Sequence, residues 1–209
     1  MRCRPWLLLL PFALCACEGE APWRAPLAGE AHMLRRAVDD LRRAIDQRDG
    51  GLAKIRFTIS SLGTIDRARR AALRSGAADL RSRSPVLQVR ALTLRLRYGK
   101  ALDDLMSELI ERLVADGAFP LPTDFARLGS AAMPVEVRGD EARYRVVAGE
   151  EPDFITLRRE SGAWRFEIES IDRALDREWR ADTGEAAILA RVGQLAGNAV
   201  DAAIWQPLR

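Results

Sequence analysis

The spacing of the apolar residues changes twice along this chain, and that change limits the folds it can adopt. From Ala31 to Arg48, and again after Ser84, apolar side chains recur every three to four residues, which indicates helices with one buried face. From Pro134 to Ile168 they alternate, which indicates strands. After Asp182 the helical spacing returns. This order predicts an α+β fold, with N-terminal amphipathic helices followed by a four-strand antiparallel meander and a C-terminal helix.

Capping residues and glycines set the expected limits of the N-terminal helices. The first helix should stop at Gly50-Gly51. Leu52 to Leu62 fits a helix or a strand, and its helical neighbours favour a helix. Thr64 is expected to cap the next helix, and Ser84-Pro85 to start a longer one, because serine caps and proline suits the first helical position. Leu92 to Tyr98 also alternates as a strand would, but the cap and the continued spacing favour helix.

Two tight turns divide the alternating region into hairpins. Gly139-Asp140 and Ser161-Gly162 are two-residue turn signals. The last strand is expected to include Trp164 to Ile168, with apolar residues on one face and charged residues on the other, as in sheets that helices cover on one side. Asp182 followed by Glu185 resembles a capping box for the C-terminal helix.

The beginning of the chain has the pattern of an export signal. Arg2, Arg4 and the α-amine provide a positive start, and Pro5 to Leu14 is an apolar run of ten residues. A bilayer-spanning helix takes roughly 20 residues, so this run is too short to span. It fits the apolar region of a signal peptide, usually about 7–15 residues long. The run ends in Leu14-Cys15-Ala16-Cys17.

That ending resembles the lipobox of bacterial lipoproteins, in which an aliphatic residue and two mostly small residues precede a cysteine. The resemblance implies transfer of diacylglycerol to the Cys17 sulfur, cleavage between Ala16 and Cys17, and acylation of the new amine by a fatty acid such as palmitate. Cys15 fits less well as the acceptor, because Leu14 would then stand beside the cut.

Processing at Cys17 defines the expected location and domains. The residue after Cys17 is Glu18. In enteric bacteria, an aspartate at this position often retains lipoproteins in the inner membrane. The resemblance therefore implies an outer-membrane lipoprotein that faces the periplasm, with the inner membrane less favoured. We expect a lipoprotein signal peptide over 1–16, a flexible tether over 17–29 and a single α+β domain over 30–209. Within that domain, helices are expected over 30–117, the sheet over 133–170 and helical structure over 171–205.

The same processing removes thiol chemistry. The chain has three cysteines; cleavage removes Cys3 and Cys15, and lipid alkylates Cys17. The mature protein would then have no disulfide, no cysteine nucleophile and no zinc-cysteine site.

Two other stretches resemble the nuclear-transport-factor-like, or ketosteroid-isomerase-like, fold. They are Lys100-Ala101-Leu102-Asp103-Asp104-Leu105 with Phe119-Pro120-Leu121-Pro122, and Leu157 through Gly162-Ala163-Trp164-Arg165-Phe166. In that family a helix precedes a curved sheet, and the resemblance implies a cone-shaped pocket. The long N-terminal helices and the trailing C-terminal helix depart from the usual cone.

Basic residues are concentrated in one segment, Lys54 to Arg97. It holds eleven basic residues against Asp66 and Asp79, a net charge of +9, whereas residues 101–209 carry a net charge of −8. The segment predicts a surface for an anionic envelope component, membrane lipid or an acidic protein. The sequence leaves two other interpretations open: the basic helices pack across the acidic sheet, or they form a solvated arginine-rich face. Export excludes nucleic acid as a partner.

Candidate catalytic groups are few. His32 is the only histidine, which excludes a multi-histidine metal site. Glu167 and Glu169 would be general acid or base candidates if the sheet curved into a pocket; otherwise they should pair with arginines across the sheet. The arginines available for such pairs are Arg143, Arg145 and Arg158. We therefore expect no catalytic residue, no metal and no cofactor.

The sequence as a whole predicts a membrane-anchored periplasmic lipoprotein with a non-enzymatic binding or structural role in the cell envelope. The alternative is a small-ligand-binding carrier or enzyme that uses a cone-shaped pocket lined by Tyr144 and Phe166. An open pocket at these side chains would favour the alternative, and a filled core would count against it.

Overall fold

A computed structural model describes residues 21–105, 108–130, 133–147 and 152–208. The predicted signal peptide, its cleavage site at Ala16 and the predicted lipid acceptor Cys17 lie outside the described residues. The α-helices are α1 (Ala28–Asp46), α2 (Gly50–Ile55), α3 (Ile59–Arg74), α4 (Ala77–Arg81), α5 (Pro85–Tyr98), α6 (Leu109–Ala115), α7 (Ile168–Glu178) and α8 (Glu185–Ala196). The strands are β1 (Val135–Arg138), β2 (Glu141–Val147), β3 (Pro152–Glu160) and β4 (Ala163–Phe166).

The predicted α+β class is confirmed. Helices precede a four-stranded antiparallel sheet in the order β1-β2-β3-β4, and helices follow it. Both predicted hairpin turns are present, with positive φ angles of 57° at Gly139 and 81° at Gly162. Tyr144 pairs with Ile155, and Leu157 pairs with Phe166. These four side chains lie on the buried face.

The Gly50-Gly51 pair begins a helix, which differs from its predicted role as a stop. α1 ends at Asp46, and the Asp49 side chain caps α2. Gly50 lies directly against the backbone of α6: a Cβ at this position would stand 2.1 Å from the Glu111 carbonyl oxygen. Glycine is therefore required here by close packing of two backbones.

The ambiguous stretch Leu52 to Leu62 contains two helix ends and a break between them. α2 ends at Ile55, Phe57 forms a parallel bridge with Phe166 of β4, and α3 starts at Ile59. Phe57 is buried in the core. The break exists because this residue pairs with a strand that lies far along the chain.

Thr64 does not cap a helix, which corrects the prediction. It lies inside α3, because the chain re-enters helix at Ile59. The buried Thr64 hydroxyl donates to Glu169 at 3.1 Å. The prediction for α5 is confirmed, since Ser84 precedes the helix and its hydroxyl accepts the Leu87 N–H at 3.4 Å.

The fourth strand is shorter than predicted. β4 ends at Phe166, and α7 begins at Ile168, so the sheet does not extend to residue 170. The Ser170 hydroxyl accepts the Thr156 N–H of β3 at 2.9 Å, which satisfies a donor that a longer strand would have paired. The predicted capping box is also wrong: Gly184 precedes α8, and the Asp182 carbonyl instead accepts a hydrogen bond from Arg191 at 2.7 Å.

Short backbone bridges cover both edges of the sheet. Arg24 and Val137 exchange two hydrogen bonds, of 3.1 and 2.8 Å, on the outer side of β1. On β4, the Thr58 N–H donates to the Phe166 carbonyl at 3.0 Å. Covered edges protect a sheet against pairing with other chains. None of the helices in the described ranges has the length and apolar character needed to cross a membrane.

Candidate functional site

The residues that precede α1 are docked on the sheet. The Arg24 backbone extends the sheet by one bridge, and its guanidinium donates to both Glu30 oxygens at 2.7 and 2.8 Å. Glu30 also accepts the Leu27 N–H at 2.8 Å. These bonds, chiefly the one from Arg24, lower the pKa of Glu30 to about 2. The predicted tether over 17–29 thus includes a docked part, and its last two residues belong to α1.

An aromatic sandwich holds the same segment on the outer face of the sheet. The Arg143 guanidinium lies 3.9 Å from the Trp23 ring centroid and 4.3 Å from that of Phe154. Arg138 lies 4.6 Å from the Trp23 ring. Arginine over an aromatic face is attractive at these distances. These contacts fix Trp23 on the sheet.

Glu30→Gln should release this docked segment at neutral pH, because the neutral amide loses the charge that attracts Arg24.

In the parent protein the same release should occur in acid. The pKa of Glu30 falls from 4.5 to about 2 on docking, so its stabilising contribution is complete above pH 4.5 and is lost as the pH falls through about 2. Hydrogen exchange at the Val137 amide, which donates to Arg24, measures the release.

Glu185→Gln is the control for this substitution, because Glu185 pairs with Arg81 on a distant exposed surface. It should leave the exchange of Val137 unchanged. Equal exchange of Val137 in the Glu30→Gln variant and the parent protein would contradict the proposed role of Glu30.

Most of the basic segment is neutralised within the molecule. Nine of its eleven basic residues form ion pairs, and a tenth, Arg95, is buried. The ion pairs are Lys54–Glu111, Arg56–Asp40, Arg67–Glu169, Arg69–Asp66, Arg70–Asp66, Arg81–Glu185, Arg83–Asp79, Arg90–Asp172 and Arg97–Asp116. The acidic partners lie mainly on other helices, not on the sheet as one interpretation of the sequence had it.

Arg95 has a structural role that the sequence interpretation missed. Its side chain is 3% exposed, and burial lowers its pKa. It donates to backbone carbonyls at the end of α3, including Ala72 at 2.6 Å, and to the Trp205 carbonyl at 3.0 Å. It therefore joins α3 to the C-terminal turn. The available signal was its position directly between Leu94 and Leu96.

A polar cavity of about 340 Å³ lies between α3, α5 and α7. Its lining includes Thr64, Arg67, Arg90, Glu169, Asp172 and Asp176. Arg90, which is 3% exposed, donates to Asp172 at 2.5 Å and stacks 4.6 Å from the Phe119 ring centroid.

The carboxyl groups of this cavity differ in their surroundings. Burial raises the pKa of Asp172 and of Asp176. Hydrogen bonds from Arg67 and Thr64 lower the pKa of Glu169. Arg173 also lines the cavity, so three arginines face three carboxyl groups and there is no excess charge that would select an anion or a cation.

The sequence-predicted candidates are not brought together. His32 is exposed on α1. Glu167 pairs with Arg158, as one interpretation predicted, but Glu169 lies on α7 and pairs with Arg67 at 2.8 Å. Across the described ranges no group of histidine, cysteine, aspartate and glutamate is suited to hold a metal ion.

The inner face of the sheet is filled. Tyr144 is 1% exposed and Phe166 is fully buried, and burial raises the pKa of Tyr144 to about 12. Phe166 packs against Phe125, with ring centroids 5.6 Å apart. These side chains therefore belong to the core.

The fold and its docked N-terminal segment define an α+β protein with a half-covered sheet. No protein-family model, no curated protein and no solved structure matches this chain.

Proposed function

We propose that this protein is a membrane-anchored lipoprotein of the cell envelope, held at the periplasmic face of the outer membrane by acyl chains on Cys17. The observation that carries the proposal is the sequence Leu14-Cys15-Ala16-Cys17 directly after a short apolar run. One acyl chain binds a membrane only marginally, whereas two or more anchor stably. A fully acylated Cys17 would keep the domain on its membrane.

The docked N-terminal segment supports a short connection between the anchor and the domain. Trp23 lies six residues after Cys17, and an extended chain spans at most about 3.6 Å per residue. The lipid would therefore lie within about 20 Å of the docked tryptophan. A connection this short favours a fixed orientation of the domain over free rotation about a long tether.

Within this proposal the domain has a non-enzymatic binding or structural role. Envelope lipids or another anionic component would meet the basic residues of Lys54 to Arg97 that remain at the surface, such as Arg67, Arg70 and Arg74. The alternative role, as a small-ligand carrier or enzyme with a cone-shaped pocket, gains no support from the filled inner face at Tyr144 and Phe166.

Cys17→Ala should abolish lipidation and leave the leader attached, because the lipobox resemblance makes Cys17 both the lipid acceptor and the residue at the cleavage site. The mass of the protein purified from bacterial membranes and its partition into a detergent-rich phase measure the result. Cys15→Ala is the matched control: it removes the neighbouring thiol but keeps the acceptor, so its mass should still show lipid at Cys17. A parent protein with an unmodified Cys17, or one that retains residues 1–16, would refute the proposal.

A further inference from the structure

Three large apolar side chains are exposed where α2 ends and α3 begins. They are Ile55, Ile59 and Leu62, which are 55%, 71% and 42% exposed; we call them the α2–α3 apolar patch. Ile59 and Leu62 are neighbours on one face of α3, three residues apart. The core is already supplied by Phe57 and Ile65 from the same stretch, which are buried. Packing within the domain therefore does not account for the patch.

The patch lies at the same end of the sheet as the docked N-terminal segment. The Ile59 N–H donates to the Glu160 side chain at 3.3 Å, which places the start of α3 beside the β3–β4 turn. Arg24 bridges Val137, just before the β1–β2 turn. The β1–β2 turn also contacts the end of β3, since the Arg159 N–H donates to the Asp140 carbonyl at 2.8 Å.

The distances allow one membrane surface to reach both features. Arg24 lies beyond β1 and Phe57 lies beyond β4, at opposite edges of the four-stranded sheet. Neighbouring strands lie about 4.8 Å apart, so roughly 24 Å separate the docked segment from the start of α3. Because Arg24 runs antiparallel to β1, the chain before it leaves the sheet beyond the β1–β2 turn. Arg24 lies only seven residues after Cys17. A lipid on Cys17 would bring this end of the domain to the bilayer.

The charges behind the patch also suit a membrane surface. Arg67, Arg70 and Arg74 are exposed further along α3. Arg67 and Arg70 pair with Glu169 and Asp66, whereas Arg74 forms no ion pair with any residue in the described ranges. An apolar tip followed by arginines is the arrangement of helices that lie at a bilayer interface and meet anionic lipids.

We propose that the α2–α3 apolar patch inserts into the head-group region of the bilayer that carries the acyl chains of Cys17. This proposal rests on the proposed function, because the anchor brings the patch to the lipid. The domain would then contact the membrane at two points, the acylated N-terminus and Ile59 with its neighbours, and the rest of α3 would lie along the surface.

A fluorescent reporter at Gly63 tests the contact and leaves the patch intact. Gly63 is exposed on α3, and no atom lies within 4 Å of a Cβ at this position. The lipidated full chain carrying Gly63→Cys is labelled with an environment-sensitive dye. It is then reconstituted into vesicles of equal phosphatidylcholine and phosphatidylglycerol that contain a lipid-borne quencher. Lipidation blocks the Cys17 thiol, so the dye reports only residue 63.

The matched control carries the dye at Ala190→Cys, an exposed position on α8, which packs on α5. We expect quenching at least about twofold stronger at residue 63 than at residue 190. Adding Ile59→Ser and Leu62→Ser to the Gly63→Cys protein should reduce its quenching to the level of the control. Both side chains are exposed, so these substitutions should leave the fold intact.

The other outcomes separate this inference from the proposed function. Protein that floats with the vesicles but shows equal quenching at residues 63 and 190 overturns the patch contact and leaves the lipid anchor standing. A blue-shifted but unquenched dye at residue 63 would show that a second copy of the chain covers the patch, which also overturns the inference. Protein that does not float and has an unmodified Cys17 by mass refutes both proposals.

Discussion

Replacing Asp172 by alanine should lower the free energy of unfolding by about 3–5 kcal/mol, because it removes one partner of a buried ion pair. Arg90 is 3% exposed. Its Nε–H and Nη2–H groups both donate to the same Asp172 oxygen, at 3.2 and 2.5 Å. The ring of Phe119 lies against its guanidinium. Without the carboxylate, the guanidinium charge stays buried with its closest partner gone. Urea unfolding followed by circular dichroism measures the loss.

Glu169→Ala on the same helix is the matched control. Glu169 and Arg67 form an exposed pair, with side chains 54% and 59% exposed, and surface pairs contribute about 0–1 kcal/mol. The double variant Arg90→Met and Asp172→Leu should recover much of the lost stability, because it removes both buried charges. A loss for Asp172→Ala no larger than for Glu169→Ala would show that Arg90 does not depend on its partner.

Replacing Gly50 by alanine should cost about 3 kcal/mol, because it forces apart two backbones that are in contact. The new Cβ would lie 2.1 Å from the Glu111 carbonyl oxygen and 2.7 Å from the Glu111 carbonyl carbon. Neither atom belongs to a flexible side chain, so α2 and α6 must separate to accept the methyl group. Thermal and urea unfolding should both show the loss.

Two other glycines provide controls for this substitution. At Gly51 the nearest atom to an added Cβ is the Asp49 side chain at 3.6 Å, and at Gly63 nothing lies within 4 Å. Alanine is the better helix former, so Gly63→Ala should stabilise the protein by roughly 0.5–1 kcal/mol. Gly51→Ala should be close to neutral. Equal stability of the Gly50→Ala and Gly51→Ala variants would contradict the packing of α2 against α6.

Features that depend on neighbouring residues were predicted well from the sequence. Ser84-Pro85 starts α5, and the two glycine-containing turns define the hairpins, because caps and tight turns depend on a few adjacent side chains. The alternation in the meander correctly separated the buried face from the charged face. The sequence could not show that Thr64 lies inside a helix, because that follows from the pairing of Phe57 with Phe166, a contact between distant parts of the chain.

The candidate site shows the same division. Trp23 and Arg24 gave no signal of docking within a segment predicted to be a flexible tether, since their partners Arg143 and Val137 lie on strands far along the chain. The exposure of Ile59 was equally unpredictable, because its spacing fits a buried helical face. In each case the outcome depended on which surfaces the folded elements bring together.

The sequence by itself determined the predicted export signal, the α+β order of elements, the turns and the apolar face of the sheet, because each is a local pattern of side-chain type. Only the tertiary structure decided what the arginines of Lys54 to Arg97 do. Arg90 and Arg95 are buried, most of the others pair with acids, and a few remain at the surface. The net charge of a segment shows how many opposite charges would neutralise it. Which residues supply those charges depends on long-range packing.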